Sequence, residues 1–202
     1  MAQAGEGPRT RRHAPRSAWP PLGAAVTAVA ALVVVWPLLN ALVPGSEPVA
    51  SDEPVPVGAG GGYEASLTFP QEGWSLDVGA SHDGQSYRFR RGPVELSLTS
   101  VRPVTSPPPS DGELWEGMRR LARVSEPSAR LGEPEVIATR DGHKGLSGPL
   151  ESRTQNGTAV VYPSPDGLLA VEMTLAGRDA TTADIAAVFD VVRTVSFTEE
   201  KR

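Results

Sequence analysis

The sequence predicts an α+β fold, in which one N-terminal transmembrane helix is followed by an antiparallel sheet packed by two helices. The first observation behind this prediction is an uncharged apolar segment near the start of the chain, from Leu22 to Val43. The second is the alternation of apolar and polar residues from Tyr63 onward, which two segments of helical periodicity interrupt. The 202 residues include no cysteine, so disulfides, thiol nucleophiles and Cys-based metal sites are excluded.

The apolar segment is long enough to cross a membrane as a helix. At 1.5 Å per residue, Leu22 to Val43 spans roughly 33 Å, against about 30 Å for a hydrocarbon core. A cleaved signal peptide is the alternative, but its apolar region runs only about 7 to 15 residues and ends at a small-residue cleavage site. Ala50, preceded two positions earlier by Pro48, is a poor cleavage site. We therefore interpret the segment as a retained transmembrane anchor.

Charges on either side of this segment predict its orientation. Arginines at positions 9, 11, 12 and 16 precede it and acidic residues follow it, and the positively charged flank stays in the cytoplasm. The predicted localisation is therefore the cell membrane, single-pass, with residues 1–21 as a basic cytoplasmic tail and the C-terminal domain outside the cytoplasm. The net charge of -5 at pH 7 argues against a nucleic-acid partner.

Residues 44–62 are predicted to be a flexible linker. They read PGSEPVASDEPVPVGAGGG, a composition rich in proline and glycine that has no apolar periodicity. The extracytoplasmic α+β domain is then expected at residues 63–198, and residues 199–202 form a charged C-terminal end.

Alternating residues predict three antiparallel strands at the start of the domain, with turns at Asp83-Gly84 and around Gly92. One face of these strands would be buried. Its apolar residues are Leu67, Phe69, Trp74, Leu76, Val78, Tyr87, Phe89, Val94, Leu96 and Leu98.

A helix is predicted after a proline-rich break, because Ser110 and Glu113 have the spacing of a capping box. One face of the helix is apolar and is expected to pack into the core. This stripe consists of Leu114, Met118, Leu121 and Ala122. The residues expected to face solvent are Arg119, Arg120 and Arg123.

Four further strands are predicted to form a meander, separated by turns at Asp141-Gly142, Asn156-Gly157 and Ser164 to Gly167. They cover residues 135–140, 143–150, 158–163 and 168–176. In the last strand, one face would be buried by Leu169, Val171, Met173 and Leu175. The opposite face carries Ala170, Glu172 and Thr174.

A second helix and a final strand are predicted to close the domain. Thr181 or Thr182 would cap the helix, and a short strand would follow at residues 194–197. The apolar stripe of this helix is predicted to be Ile185, Val188, Phe189 and Val192.

The resulting element order, β-β-β-α-β-β-β-β-α-β, is that of an α+β sandwich. A strand ending in TFPQEGW, a mid-chain amphipathic helix, a meander and a terminal helix running into VVRTVSF together resemble the PsbP-like fold. The resemblance covers about Tyr63 to Phe197. This family also occurs in extracytoplasmic proteins of high-GC bacteria such as actinobacteria, and the excess of arginine over lysine is typical of such genomes. The resemblance implies a non-enzymatic binding or assembly module.

Residues suited to catalysis or metal binding are few. His82 and His143 each lie beside an Asp-Gly turn, and a hydrolase would have to bring either of them to Ser147 or Asp141. A metal site would need His82 and Asp83 to meet His143 and Asp141. No hydrolase or metalloprotease motif accompanies them. We therefore predict no catalytic, cofactor-binding or metal-binding residue, and no cofactor.

The predicted function is a membrane-anchored extracytoplasmic binding or assembly module without catalytic activity. Its partners would be the membrane, through Leu22 to Val43, and an envelope or membrane protein, as in an accessory of secretion or cell-wall assembly. The docking surface would be a sheet face or the groove between sheet and helix. The alternative is an envelope hydrolase with a site near His143, and a small lipid or peptide ligand stays open.

Overall fold

The computed structural model describes residues 45–153, 156–177 and 179–200. These residues form twelve β-strands and two α-helices. The strands are β1 (Ser46–Pro48), β2 (Pro54–Gly60), β3 (Tyr63–Thr68), β4 (Ser75–Asp77), β5 (Ser86–Arg91), β6 (Val94–Val101), β7 (Arg130–Leu131), β8 (Glu135–Ala138), β9 (Lys144–Glu151), β10 (Asn156–Pro163), β11 (Ala170–Ala176) and β12 (Ser196–Glu199). The helices are α1 (Asp111–Ser125) and α2 (Thr182–Val192).

The strands form two antiparallel sheets. A large sheet of nine strands has the order β1-β4-β5-β6-β11-β10-β9-β7, and β8 also pairs with β9. A small sheet has the order β12-β3-β2. Strands β7 and β8 share one edge of the large sheet, because β7 pairs with the end of β9 and β8 with its beginning.

The main core lies between the two sheets and under α2. Leu67 from the small sheet, Leu96 and Met173 from the large sheet, and Val188 and Val192 from α2 belong to one buried cluster. The alternation of apolar residues in β5, β6 and β11 points these side chains to the same face of the large sheet. The predicted buried faces of these three strands are therefore confirmed.

A second cluster lies on the opposite face of the large sheet, under α1. Leu114, Trp115 and Met118 of α1 pack there against Val161 and Ala170 of the sheet. The helix begins where the sequence predicts, because the Ser110 hydroxyl accepts a hydrogen bond from the Glu113 N–H and the Glu113 carboxylate accepts one from the Ser110 N–H. Strands β10 and β11 are thus covered on both faces.

The predicted fold class needs correction. Neither described helix is long and apolar enough to cross a membrane, since α1 has 15 residues and α2 has 11, or roughly 22 Å and 16 Å against about 30 Å of hydrocarbon. The described chain is instead a mostly antiparallel β structure with two helices. The prediction of a single-pass cell-membrane protein is corrected by the same finding. The anchor predicted at Leu22 to Val43 and the tail predicted at residues 1–21 lie outside the described residues.

The predicted element order is also incomplete. Strands β1 and β2 lie within residues 44–62, which were expected to form a flexible linker, and β7 precedes the predicted meander. The meander itself is confirmed, since β8, β9, β10 and β11 are successive antiparallel neighbours. Thr181 caps α2 through a second capping box.

The buried face of α2 is rotated relative to the prediction. Ile185 is 48% exposed, and the buried positions are Ala187, Val188, Val191 and Val192. Because α2 is apolar on most of its circumference, its periodicity alone does not determine which side contacts the core.

Candidate functional site

The candidate site is a groove between the second half of α1 and the large sheet. It encloses about 230 Å³. Its apolar walls are formed by Met118, Leu121, Ala122, Leu131, Leu150 and Ala159.

The groove exists because the sheet covers only the first half of α1. Leu114, Trp115 and Met118 are buried, whereas Leu121 is 58% exposed and Val124 is 81% exposed. Trp115 fixes the covered half: its indole N–H donates to the Gly132 carbonyl at 3.2 Å. The prediction that Leu121 belongs to the core is therefore wrong, and Leu121 instead forms one wall of the groove.

Glu172 of β11 also lines the groove. In the sheet register it lies between Thr99 of β6 and Val161 of β10. The side chain is half-buried, and this burial raises the pKa of its carboxyl group from 4.5 to about 7. Among the hydrogen bonds and ion pairs of the described residues, none involves the Glu172 carboxylate.

A second carboxylate, that of Glu126, lies at the end of the groove beside α1. Its Oε1 atom accepts hydrogen bonds from the Ser128 hydroxyl at 2.7 Å and from the Arg153 backbone N–H at 3.0 Å. It therefore holds the loop that follows α1. The described residues that line the groove include these two carboxylates and no basic side chain.

Ion pairs occupy the same face of the large sheet beyond the groove. Arg88 and Arg90 of β5 lie 3.3 Å from the Glu95 carboxylate, and Arg90 lies 3.4 Å from Asp77. On α1, Arg119 pairs with Glu116 at 2.6 Å. The partly exposed pairs of Arg88 and Arg90 contribute about 0 to 1 kcal/mol each. None of these three arginines is paired with Glu172.

His143 lies at the start of β9, in a separate depression of about 320 Å³ that Asp141 and Ser196 also line. Its Nε2–H donates to the Pro163 carbonyl, and its ring centroid lies 4.9 Å from that of Phe197. The structure therefore brings His143 and Asp141 to one surface depression.

Ser147 is not part of this depression. It lies in β9 opposite Val160, four residues beyond His143, which corresponds to roughly 13 Å along a strand. The hydroxyl of Ser196, which does line the depression, is hydrogen-bonded to that of Ser66 at 2.9 Å. No described serine hydroxyl is thus hydrogen-bonded to the His143 ring.

His82 and Asp83 are far from His143 and Asp141. His82 lies four residues before β5 and forms an isolated bridge with its first residue, Ser86. In the large sheet β5 is four strands from β9, or roughly 19 Å at the usual strand spacing. Within the part of the chain that the structure describes, no group of three or more His, Asp or Glu residues is placed to hold a metal ion. The four-residue metal site considered from the sequence is therefore not assembled.

Glu172 was not singled out from the sequence. Its place on the face of β11 opposite Val171 and Met173 suggested an ordinary solvated position. The composition of β10 and β11 could have indicated its burial. TAVVY in β10 and LLAVEM, which runs into β11, are nearly continuous apolar runs. Such runs are typical of strands covered on both faces, and a Glu within one is then expected to be partly buried.

Comparison with known proteins adds little. No family model and no curated protein matches the sequence. A solved structure from Bacteroides thetaiotaomicron VPI-5482 is similar over 68% of this chain and 46% of its own, with 14% sequence identity and a TM-score of 0.32. The chain thus spans less than half the length of that structure, and a likeness of this degree carries no argument. The resemblance to the PsbP-like family stays a prediction.

Proposed function

We propose that this domain is a non-catalytic binding module, and that it docks a partner polypeptide in the groove between α1 and the large sheet. The observation that carries the proposal is the incomplete cover of the helix. Leu121, which lines the groove, is 58% exposed, and Val124, three residues further along the same helix, is 81% exposed. Apolar surface gathered around a concavity is typical of interaction sites, whereas single scattered apolar residues are not.

The size of the groove supports a polypeptide partner. Its volume of about 230 Å³ is below the range of roughly 300 to 1,000 Å³ that is usual for sites that enclose a drug-sized ligand. Pockets of smaller volume at protein interfaces receive one or two anchoring side chains, which supply most of the binding energy. We therefore assign the groove to anchoring side chains.

The hydrolase alternative has less support from the geometry. A general base of the Ser-His-Asp type needs its Nε2 atom free to accept the proton of a nucleophile. In this protein the Nε2–H of His143 donates to the Pro163 carbonyl. The contact favours a role for His143 in holding the structure together.

Site-specific photo-crosslinking tests the proposal. The photoreactive residue p-benzoylphenylalanine replaces Leu121 in the full chain, produced in its native host, and a matched variant carries it at Ile185, which is 48% exposed on α2. We expect a discrete adduct with one polypeptide from position 121 and not from position 185. The same adducts from both positions, or none from position 121, would contradict the proposal.

A further inference from the structure

We propose that the groove receives a basic side chain, lysine or arginine, from the partner polypeptide, with the cation placed on Glu172 and the apolar stem along α1. The inference rests on the proposed function and specifies the chemistry of the anchoring side chain. It follows from the charges, the walls and the volume of the groove.

The groove is lined by negative charge, which favours binding of a cation. Its described lining holds the carboxylates of Glu126 and Glu172 and no basic side chain. Glu126 already accepts two hydrogen bonds from the loop after α1, whereas Glu172 has no partner among the described residues. A partly buried carboxylate without a partner is costly, and a cation that reaches it removes this cost.

The walls of the groove fit the stem of a long basic side chain. Met118, Leu121 and Ala122 present hydrocarbon along one side, and Leu131 and Leu150 along the other. Lysine and arginine cover apolar surface with their methylene groups while the charged head reaches a polar partner. A wholly apolar anchor would leave the carboxylate covered and unpaired, and an acidic anchor would be repelled by it.

Among the described residues, no arginine or lysine forms an ion pair with Glu172. Arg88 and Arg90 pair with Glu95 and Asp77. Arg119 pairs with Glu116, and it also donates to the Gly132 carbonyl at 3.2 Å. The cation is therefore expected from another molecule.

Binding of a basic side chain should strengthen as Glu172 loses its proton. The other titratable group that lines the groove is Glu126, directly after the end of α1. The lining residues from β6, β7, β9 and β10 do not titrate; they are Thr99, Leu131, Leu150 and Ala159. Burial raises the pKa of the Glu172 carboxyl to about 7 in the empty groove. The carboxylate is then mostly charged at pH 8 and mostly neutral at pH 6.

Two probes with the same stem test the inference by NMR titration of the isotope-labelled full chain at pH 8. N-acetyl-lysine amide carries the ammonium group, and N-acetyl-norleucine amide has a straight four-carbon stem without it. We expect the lysine probe to shift the backbone amides of Thr99, Leu121 and Thr174. Its apparent affinity should be at least about tenfold higher than that of the norleucine probe, as a charge-assisted hydrogen bond predicts.

The variant Glu172→Gln keeps the size of the side chain and removes its charge, and we expect it to abolish the preference for lysine. The matched control is Glu135→Gln, which removes an exposed carboxylate on β8. It should leave the preference unchanged, and lowering the pH from 8 to 6 should weaken the preference in the unmodified chain.

Equal affinity for the two probes, or a lysine preference that survives Glu172→Gln, would overturn the basic anchor. The groove would then bind apolar side chains, and the proposed function would stand. Absence of shifts with either probe would overturn the inference as well, and the crosslinking at position 121 would decide the function separately.

Discussion

At the scale of single residues, Glu172 couples the charge of the groove to the stability of the fold. Burial raises the pKa of its carboxyl from 4.5 to about 7, so the folded state holds the proton more tightly than the unfolded state does. The contribution of this group to folding is therefore most favourable below pH 4.5. It is lost as the pH rises through about 7.

The variant Glu172→Gln should remove this pH dependence, because glutamine does not ionise. At pH 8 we expect the variant to be more stable than the unmodified chain by about 1 to 3 kcal/mol, and at pH 5 the difference should be small. Urea unfolding at both pH values measures the effect. If both proteins lost the same stability between pH 5 and pH 8, Glu172 would not be the group that causes the pH dependence.

At the scale of secondary-structure elements, the contact between α1 and β9 depends on a glycine. A Cβ atom at Gly148 would lie 2.9 Å from the Trp115 ring and 2.9 Å from the Glu133 carbonyl oxygen. These distances are shorter than real contacts allow, so α1 must approach β9 where no side chain intervenes. The groove therefore depends on Gly148 through the position of the helix.

The variant Gly148→Ala should push α1 away from the sheet and destabilise the domain by about 1 to 3 kcal/mol. The matched control is Gly117→Ala in α1, where a Cβ atom meets nothing within 4 Å. Alanine there should stabilise the helix by up to about 1 kcal/mol. Thermal unfolding of both variants provides the measurement, and destabilisation by Gly117→Ala or a neutral Gly148→Ala would refute this view of the interface.

The sequence predicts elements well where local chemistry determines them. The capping boxes at Ser110 and Thr181 and the turns of the meander are read directly from residue types. Local chemistry does not determine which part of a helix the sheet covers. Periodicity placed Leu121 in the core stripe of α1, and this was wrong, because periodicity carries no information on how far the opposing sheet extends.

Strand β2 was not predicted from the sequence, and the reason is physical. Its prolines, Pro54 and Pro56, resemble those of a linker, because proline has no N–H to donate to a sheet. Pairing only with β3, β2 lies at an edge of the small sheet, where prolines are tolerated. The buried Val57 and the register shift between Pro56 and Gly58 become visible only once the partner strand is known.

At the scale of the whole molecule, the two sheets are joined outside the main core by the hairpin of β8 and β9. His143 of this hairpin, beside the large sheet, contacts Phe197 of β12 in the small sheet and donates to the Pro163 carbonyl at the end of β10. The Arg140 N–H donates to the Arg193 carbonyl after α2 at 2.8 Å. These contacts tie the hairpin to the small sheet and to α2.

The variant His143→Ala should therefore lower the stability of the domain, by about 1 to 2 kcal/mol for a lost hydrogen bond and ring contact. His82→Ala is the control, because the His82 side chain is exposed; it should change little. Thermal unfolding at pH 7.5 checks both variants. An unchanged melting temperature together with loss of a hydrolytic turnover would instead support the hydrolase alternative.

The strands at the margins of the two sheets are all short or interrupted. Strand β1 has three residues and ends in Pro48, β7 and β8 divide one margin between them, β12 has four residues, and β2 contains two prolines. Another chain that tried to extend either sheet by strand addition would find few consecutive free N–H and C=O groups. The domain is thereby protected against edge-to-edge aggregation, and the proposed partner would be recognised through side chains rather than through strand addition.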